Sequence, residues 1–140
     1  MAYSVKPYQE TVEKPWGREM IYTALGSAHT GKLLEIKAGR RLSLQYHDEK
    51  SETICLVSGR AVIWLENADG EIEHIEMEQG KGYVVVPGQK HRLEALADCL
   101  AVEVSDPEEG NTFRLADDFQ RPDESEQVRA QANRGWRPAK

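Results

Sequence analysis

Gly39-Arg40-Arg41-Leu42-Ser43-Leu44-Gln45-Tyr46-His47-Asp48-Glu49-Lys50-Ser51-Glu52-Thr53-Ile54-Cys55-Leu56-Val57-Ser58-Gly59 is the stretch whose reading decides the fold. Two glycines bracket two apolar-rich runs. The polar residues Asp48 to Ser51 between them read as a hairpin connection. Gln45 and His47 are two positions apart, so on a strand they share a face. Glu52 opens the returning strand, which brings it back beside His47. A second stretch, Gly80 then Val84-Val85-Val86-Pro87-Gly88-Gln89-Lys90-His91, supplies a further imidazole. Gln45, His47, Glu52 and His91 together form a candidate metal site of imidazole, carboxylate and amide donors. The plainer alternative is a solvated strand with an exposed His47–Glu52 pair on a hairpin.

Working outward, Glu19 to Leu25 and Lys32 to Lys37 read as strands, the latter ending at Ala38-Gly39. Arg41 to His47 is the next. Thr53–Val57, Ala61–Glu66, Glu71–Glu78, Tyr83–Val86, His91–Ala95 and Cys99–Val104 follow, with turns at Ser58-Gly59 and Asn67-Ala68-Asp69-Gly70. Short strands at steady spacing predict an all-β antiparallel sandwich or barrel. If Gln45 and His47 point inward, Ser43 does too, and Leu42, Leu44 and Tyr46 form an apolar outer face. That face needs a cover, and it predicts a homodimer. His29 and His74 are out of register and read as surface residues. Lys90 and Arg92 flank His91 and are expected to point away from its face, as solvated charges.

Pro15-Trp16-Gly17 punctuates the start of a single domain over residues 15–121. Residues 1–14 read as an extended arm, and residues 122–140 as a polar tail with a frayed helix over Glu124 to Asn133. In the other reading of the tail, it is an arm that docks through Trp136.

Composition narrows the function. The chain has 140 residues, enough for one domain with a core. Its formal net charge of -6 argues against nucleic acid as a partner, and an anionic substrate would need a local cluster of cations. No apolar run is long enough for a membrane span, and the start lacks the apolar core of a signal peptide. Cys55 and Cys99 do not make a disulfide framework, and Cys55 reads as a small buried hydrophobe. The expected compartment is the reducing cytoplasm.

The two stretches resemble the two cupin motifs. The first is a glycine-framed His-x-His followed by Glu, with Gln45 standing where the first histidine is usual. The second is matched by Gly80, Gly88 and His91, with Pro87 one place beyond its usual position. Lys14-Pro15-Trp16-Gly17, Leu42-Ser43-Leu44-Gln45-Tyr46-His47, His91-Arg92-Leu93 and Phe113-Arg114-Leu115-Ala116-Asp117-Asp118-Phe119-Gln120-Arg121 carry a closer resemblance. They are similar to segments of the C-terminal cupin domain of type II mannose-6-phosphate isomerase/mannose-1-phosphate guanylyltransferase. Asp48-Glu49-Lys50 departs from the His-His-Arg often found there, and Thr53 from a histidine.

The resemblance implies a jelly-roll barrel, the cupin double-stranded β-helix, with one divalent metal bound by Gln45, His47, Glu52 and His91. It favours zinc, while nickel, manganese and iron suit the same donors. It also implies interconversion of mannose 6-phosphate and fructose 6-phosphate through an enediol. Glu52 would then be catalytic through the metal, and Arg114 would hold the sugar phosphate through charge-assisted hydrogen bonds. Two other readings stay open: a non-catalytic cupin binding a sugar or sugar nucleotide, and a different metal-dependent cupin enzyme such as an iron dioxygenase.

Overall fold

A computed structural model describes residues 3–137. It holds the expected jelly roll of two antiparallel sheets. The first sheet has the order β1-β2-β3-β10-β5-β8, from Glu10–Lys14, Gly17–Ile21, Thr30–Ile36, Cys99–Ser105, Glu52–Ser58 and Gly82–Val85. The second runs β11-β4-β9-β6-β7, from Thr112–Ala116, Leu44–His47, His91–Ala95, Ala61–Glu66 and Ile72–Glu76. The core between the sheets is built by Trp16, Leu34, Ile54, Leu56, Ile63 and Leu93.

Alternation along the strands explains which residues enter that core. β5 buries Glu52, Ile54 and Leu56 and leaves Val57 exposed. β3 buries Lys32, Leu34 and Ile36, and β10 buries Cys99, Ala101 and Glu103. Two glycines fix the framework where no other residue fits. Gly59 has φ 83°, and a Cβ there would collide with the Asp98 carbonyl oxygen; a Cβ on Gly17 would collide with that of Glu35.

The structure departs from the sequence reading at several places. The expected arm over residues 1–14 contributes β1, which pairs with β2 through a tight turn and buries Val12 and Lys14. The first strand of the domain is Gly17–Ile21, two residues earlier than Glu19. β4 begins at Leu44, and Leu42 packs against the core instead of pointing outward, because Arg41 to Ser43 lie outside the regular strand. Cys55 is half-buried on the outer face of β5, while Cys99 is the buried thiol. The tail folds back on the barrel: Thr112 and Glu124 form a β-bridge, and Ser125 caps one helical turn, α1, Glu126–Arg129. A 3₁₀ turn, Ala132–Gly135, follows. The docking runs through Arg129, Asn133 and Arg134, and Trp136 is only half-buried. Residues 1–2 of the expected arm and 138–140 of the expected tail lie outside the described residues.

Candidate metal centre and its charged cavity

Three short elements converge on one end of the barrel. β4 and β9 meet at Gln45 and His91, which are direct cross-strand partners. The Gly88 N–H donates to the His47 carbonyl at 2.8 Å, so the turn before β9 is tied to the end of β4. Glu52 starts β5 between Val85 of β8 and Ser105 of β10. The loop joining β4 to β5 is pinned from outside. Asp48 accepts from the Asn111 backbone at 2.7 Å, and the Ser51 N–H donates to Asp106 at 3.1 Å.

His47, Glu52 and His91 are all buried, and each offers a ligand atom within 4.8 Å of the other two. Glu52 Oε1 lies 3.3 Å from His47 Nε2 and 2.9 Å from His91 Nε2. Gln45 borders the same cavity; its Oε1 accepts from the Ser43 hydroxyl at 2.9 Å. The opposite nitrogens of both rings are occupied. His91 Nδ1 lies 2.9 Å from the Gln89 carbonyl, an acceptor, which assigns the proton to Nδ1 and leaves Nε2 as a lone pair. His47 Nδ1 lies 2.9 Å from the Thr112 hydroxyl.

The donor set fits a divalent cation. Among the described residues, His91 Nε2 and Glu52 Oε2 are buried without a hydrogen-bond partner. A lone pair facing a carboxylate at this range needs a cation or a proton between them. Burial pushes the His47 imidazole down, against the pull of Glu52, which favours the neutral form that binds metals. Burial alone would raise Glu52, but Lys50 and the two histidines outweigh it and hold the carboxyl well below its usual range.

Around this cluster the interior is charged. Lys50 lies 3.6 Å from Glu52 and 3.7 Å from Glu103, bridging the two carboxylates. Lys32 reaches Glu19 at 3.2 Å and Glu103 at 4.0 Å, and it is also paired with Glu108. Burial lowers Lys32 to about 8 despite Glu19, and burial together with neighbouring Glu52 raises Glu103 to about 7. The free volume these side chains enclose is about 60 Å³.

Arg114 borders this cavity. Its Nη1 donates to the Pro122 carbonyl, and its Nε is buried with no partner among the described residues. It does not pair with Asp117 or Asp118; those bind Arg121 and Arg41. Arg92 corrects the expectation of a solvated charge. It is 3% exposed, donates to the Leu42 and Ala116 carbonyls, and lies over the Trp64 ring. Lys90 stays partly exposed near Glu66. His74 is exposed as expected and stacks on Trp64 at 4.0 Å, and His29 is also exposed. The sequence reading missed Lys32 and Glu103. A signal for them existed, because each shares the inward, alternate positions of its strand with core residues.

Comparisons with known proteins show the family and the fold. A family model described as "Mannose-6-phosphate isomerase C-terminal" matches residues 3–123. Oxalate decarboxylase from Bacillus subtilis superposes with a TM-score of 0.68 at 17% identity, over 82% of this chain and 33% of that one. The formate complex of Lactobacillus farciminis oxalate decarboxylase gives 0.69 at 20% identity, over 82% and 37%. The capsular polysaccharide assembling protein CapF from Staphylococcus aureus gives 0.57 at 20%, over 83% and 33%. The chain thus spans about a third of the length of these structures, and at such identities the likeness is one of fold, the cupin fold. No curated protein matches the chain in sequence. No described helix is long and apolar enough to cross a membrane.

Proposed function

The chain belongs to the mannose-6-phosphate isomerase C-terminal family, and from that premise we propose a divalent-metal-dependent sugar-phosphate isomerase that interconverts mannose 6-phosphate and fructose 6-phosphate. The observation that carries this reading is a His47–Glu52–His91 cluster whose His47 and Glu52 line a cavity shared with buried cations. Gln45 completes the proposed ligand set from the strand position opposite His91. A bound divalent cation, zinc by resemblance, would act as a Lewis acid on the carbonyl and the neighbouring hydroxyl oxygen.

The protein's own groups do the rest. Aldose–ketose exchange moves one proton between C1 and C2 and a second between the oxygens on those carbons. Glu103 lies beside the proposed ligand Glu52, with Lys50 bridging the two carboxylates, and in this reading it takes the carbon-bound proton and returns it. Lys50 offsets the charge that develops on substrate oxygen. Arg114, with its unpartnered Nε, supplies the fork for the phosphate.

The test is turnover of mannose 6-phosphate by the metal-loaded protein in a coupled assay, together with metal analysis of His47→Ala and His91→Ala. Full metal content in both variants would remove the ligand assignment. A non-catalytic sugar-binding cupin is the second reading. The departures from the family pattern at Asp48-Glu49-Lys50 and Thr53 favour it, and metal-loaded protein that binds the sugar phosphate without turnover would establish it.

We also propose a homodimer, through a different face from the one the sequence suggested. The outer side of the six-stranded sheet carries Val84, Thr53 and Val104 in one cross-strand row, with Cys55 and Val102 in another. Val57, Val84 and Val104 are about half exposed there. Light scattering that gives the 15.8 kDa monomer mass at all concentrations would rule it out. Two free thiols, Cys55 and Cys99, fit a reducing cytoplasm.

A further inference from the structure

Glu108, Arg129 and Arg134 border two spaces at once. On their inner side is the charged cavity, with about 60 Å³ free. On their outer side is an open cleft of about 640 Å³, between the β2–β3 loop and the C-terminal segment. The contrast in size decides something. The inner space holds a few waters, whereas sites for organic ligands span roughly 300–1,000 Å³. A ligand with several carbons can touch the metal cluster only if the wall between the two spaces moves.

We propose that the outer cleft is the binding vestibule for an organic anion that reaches the metal cavity, and that Arg134 is the gate between them. Arg134 is the keystone of the wall. Its guanidinium lies 2.6 Å from Glu108, 3.0 Å from Glu124 and 3.6 Å from Glu19, joining the tail to β2 and to the β10–β11 loop. It is presented by a strained turn. Asn133 and Arg134 have φ of 47° and 54°, a left-handed region that residues other than glycine rarely occupy.

The rest of the segment is held by polar contacts. Arg129 donates to the Gly110 carbonyl at 2.9 Å, and the Asn133 side chain accepts from the Glu13 N–H at 2.9 Å. No residue of α1 or of the 3₁₀ turn is buried. A segment attached by charges and not by apolar packing can swing without opening the barrel. An incoming phosphate or carboxylate offers Arg134 a replacement for its Glu108 and Glu124 partners, so the ligand itself can release the gate. The inference rests on the cavity and the cleft and is independent of the isomerase reading and of which metal binds.

Alkylation of a thiol placed in the inner cavity tests the gate. Ser43 is 1% exposed and borders that cavity. Ser43→Cys is treated with iodoacetamide, alone and combined with Arg134→Gln, and the modification is followed peptide by peptide. Buried Cys99 is the internal reference for global opening. The gate predicts at least tenfold faster alkylation at position 43 in the Arg134→Gln background, with Cys99 unchanged. Adding Ser27→Trp at the exposed cleft rim should then slow position 43 again. Equal rates at position 43 with and without Arg134→Gln overturn the gate. Acceleration of Cys99 in step with position 43 also overturns it, because Arg134 would then be a global structural residue. Indifference to Ser27→Trp overturns the cleft as the route.

Discussion

The two ends of the barrel interior are built from the same strands and hold opposite chemistry. Along β5 the inward positions run Glu52, Ile54, Leu56; along β3, Lys32, Leu34, Ile36; along β10, Glu103, Ala101, Cys99. Pairing aligns these series. Glu103 lies opposite Lys32 on one side and Ile54 on the other, and Ala101 lies between Leu34 and Leu56. One end is therefore a close-packed apolar floor, and the other a buried network of charges around the His47–Glu52–His91 cluster. The floor gains from removal of apolar surface from water. Charge burial by itself costs, and is offset only while every charge keeps a partner. Apolar packing is thus concentrated at one end and the candidate metal centre at the other, although the same strands run through both.

The sharpest way to break that contrast is to change one residue at each end. Lys32→Ala leaves Glu19, Glu103 and Glu108 facing each other without their shared cation. A loss of about 3–5 kcal/mol is expected in denaturant unfolding. Lys32→Met combined with Glu19→Leu should recover part of it, because the charge is then replaced by packing and not merely unpaired. Leu56→Ala, 1% exposed at the floor, should cost about 2–5 kcal/mol. The two variants differ in their second readout. Leu56→Ala should keep its metal affinity, and Lys32→Ala should not, since Lys50 and Glu103 next to the ligands lose their balance. An equal loss of metal affinity in both variants would show that the two ends are not separate in function, and unchanged affinity in both would show that Lys32 does not support the metal centre.

The sequence made one end legible and hid much of the other. The alternation of β5 and the glycine-framed turns predict the strands, and the motif register alone groups His47, Glu52 and His91, which the structure brings together. Gln45 belongs to the same candidate ligand set, and the structure pairs it across strands with His91. Lys32, Glu103 and Arg92 were harder. Each is a charged residue in a strand, a pattern that also describes a solvated face. Their burial depends on partners far along the chain, such as Glu108 for Lys32 and the Ala116 carbonyl for Arg92. The contacts that dock the tail were hidden for the same reason: the sequence offered docking through Trp136, and the structure uses Arg129, Asn133 and Arg134. Its docking uses arginine–glutamate pairs with β2 and the β10–β11 loop, and no local apolar pattern announces it.

Acid should dismantle the charged end first. Burial alone would raise Glu124, but Arg134 and Lys14 outweigh it and lower its carboxyl to about 2, from 4.5. The folded state therefore holds this proton less tightly than the unfolded chain. The resulting stabilisation is present above about 4.5 and is lost as pH falls toward 2. Its size is on the order of 3 kcal/mol. Glu124→Gln removes it, so the difference in unfolding free energy between wild type and variant should shrink steadily as pH falls through that window. A difference that stays constant with pH would mean that Glu124 contributes through its shape and hydrogen bonds and not its charge. Leu56→Ala, as the control from the apolar floor, should show no such convergence.

The smallest effect expected is also the most local. Thr112 is 5% exposed, and its hydroxyl lies 2.9 Å from His47 Nδ1. That contact fixes the ring so that Nε2 faces Glu52. Thr112→Val keeps the volume and the β-branched shape that β11 favours, and removes only the hydroxyl. The ring would lose its orienting partner, while the ligands themselves stay in place. Outer partners of this kind typically matter about 10–100-fold in metal affinity. A competition titration against a chelator should therefore show weaker binding by that amount, with a melting temperature close to wild type in metal-free protein. Deleting one methylene in the floor, Ile63→Val, gives the counterpart: about 1 kcal/mol in stability and no change in metal affinity. If Thr112→Val lowers the melting temperature and leaves the metal affinity intact, the hydroxyl belongs to the scaffold. The boundary between the two ends would then lie closer to the ligands than the buried charges suggest.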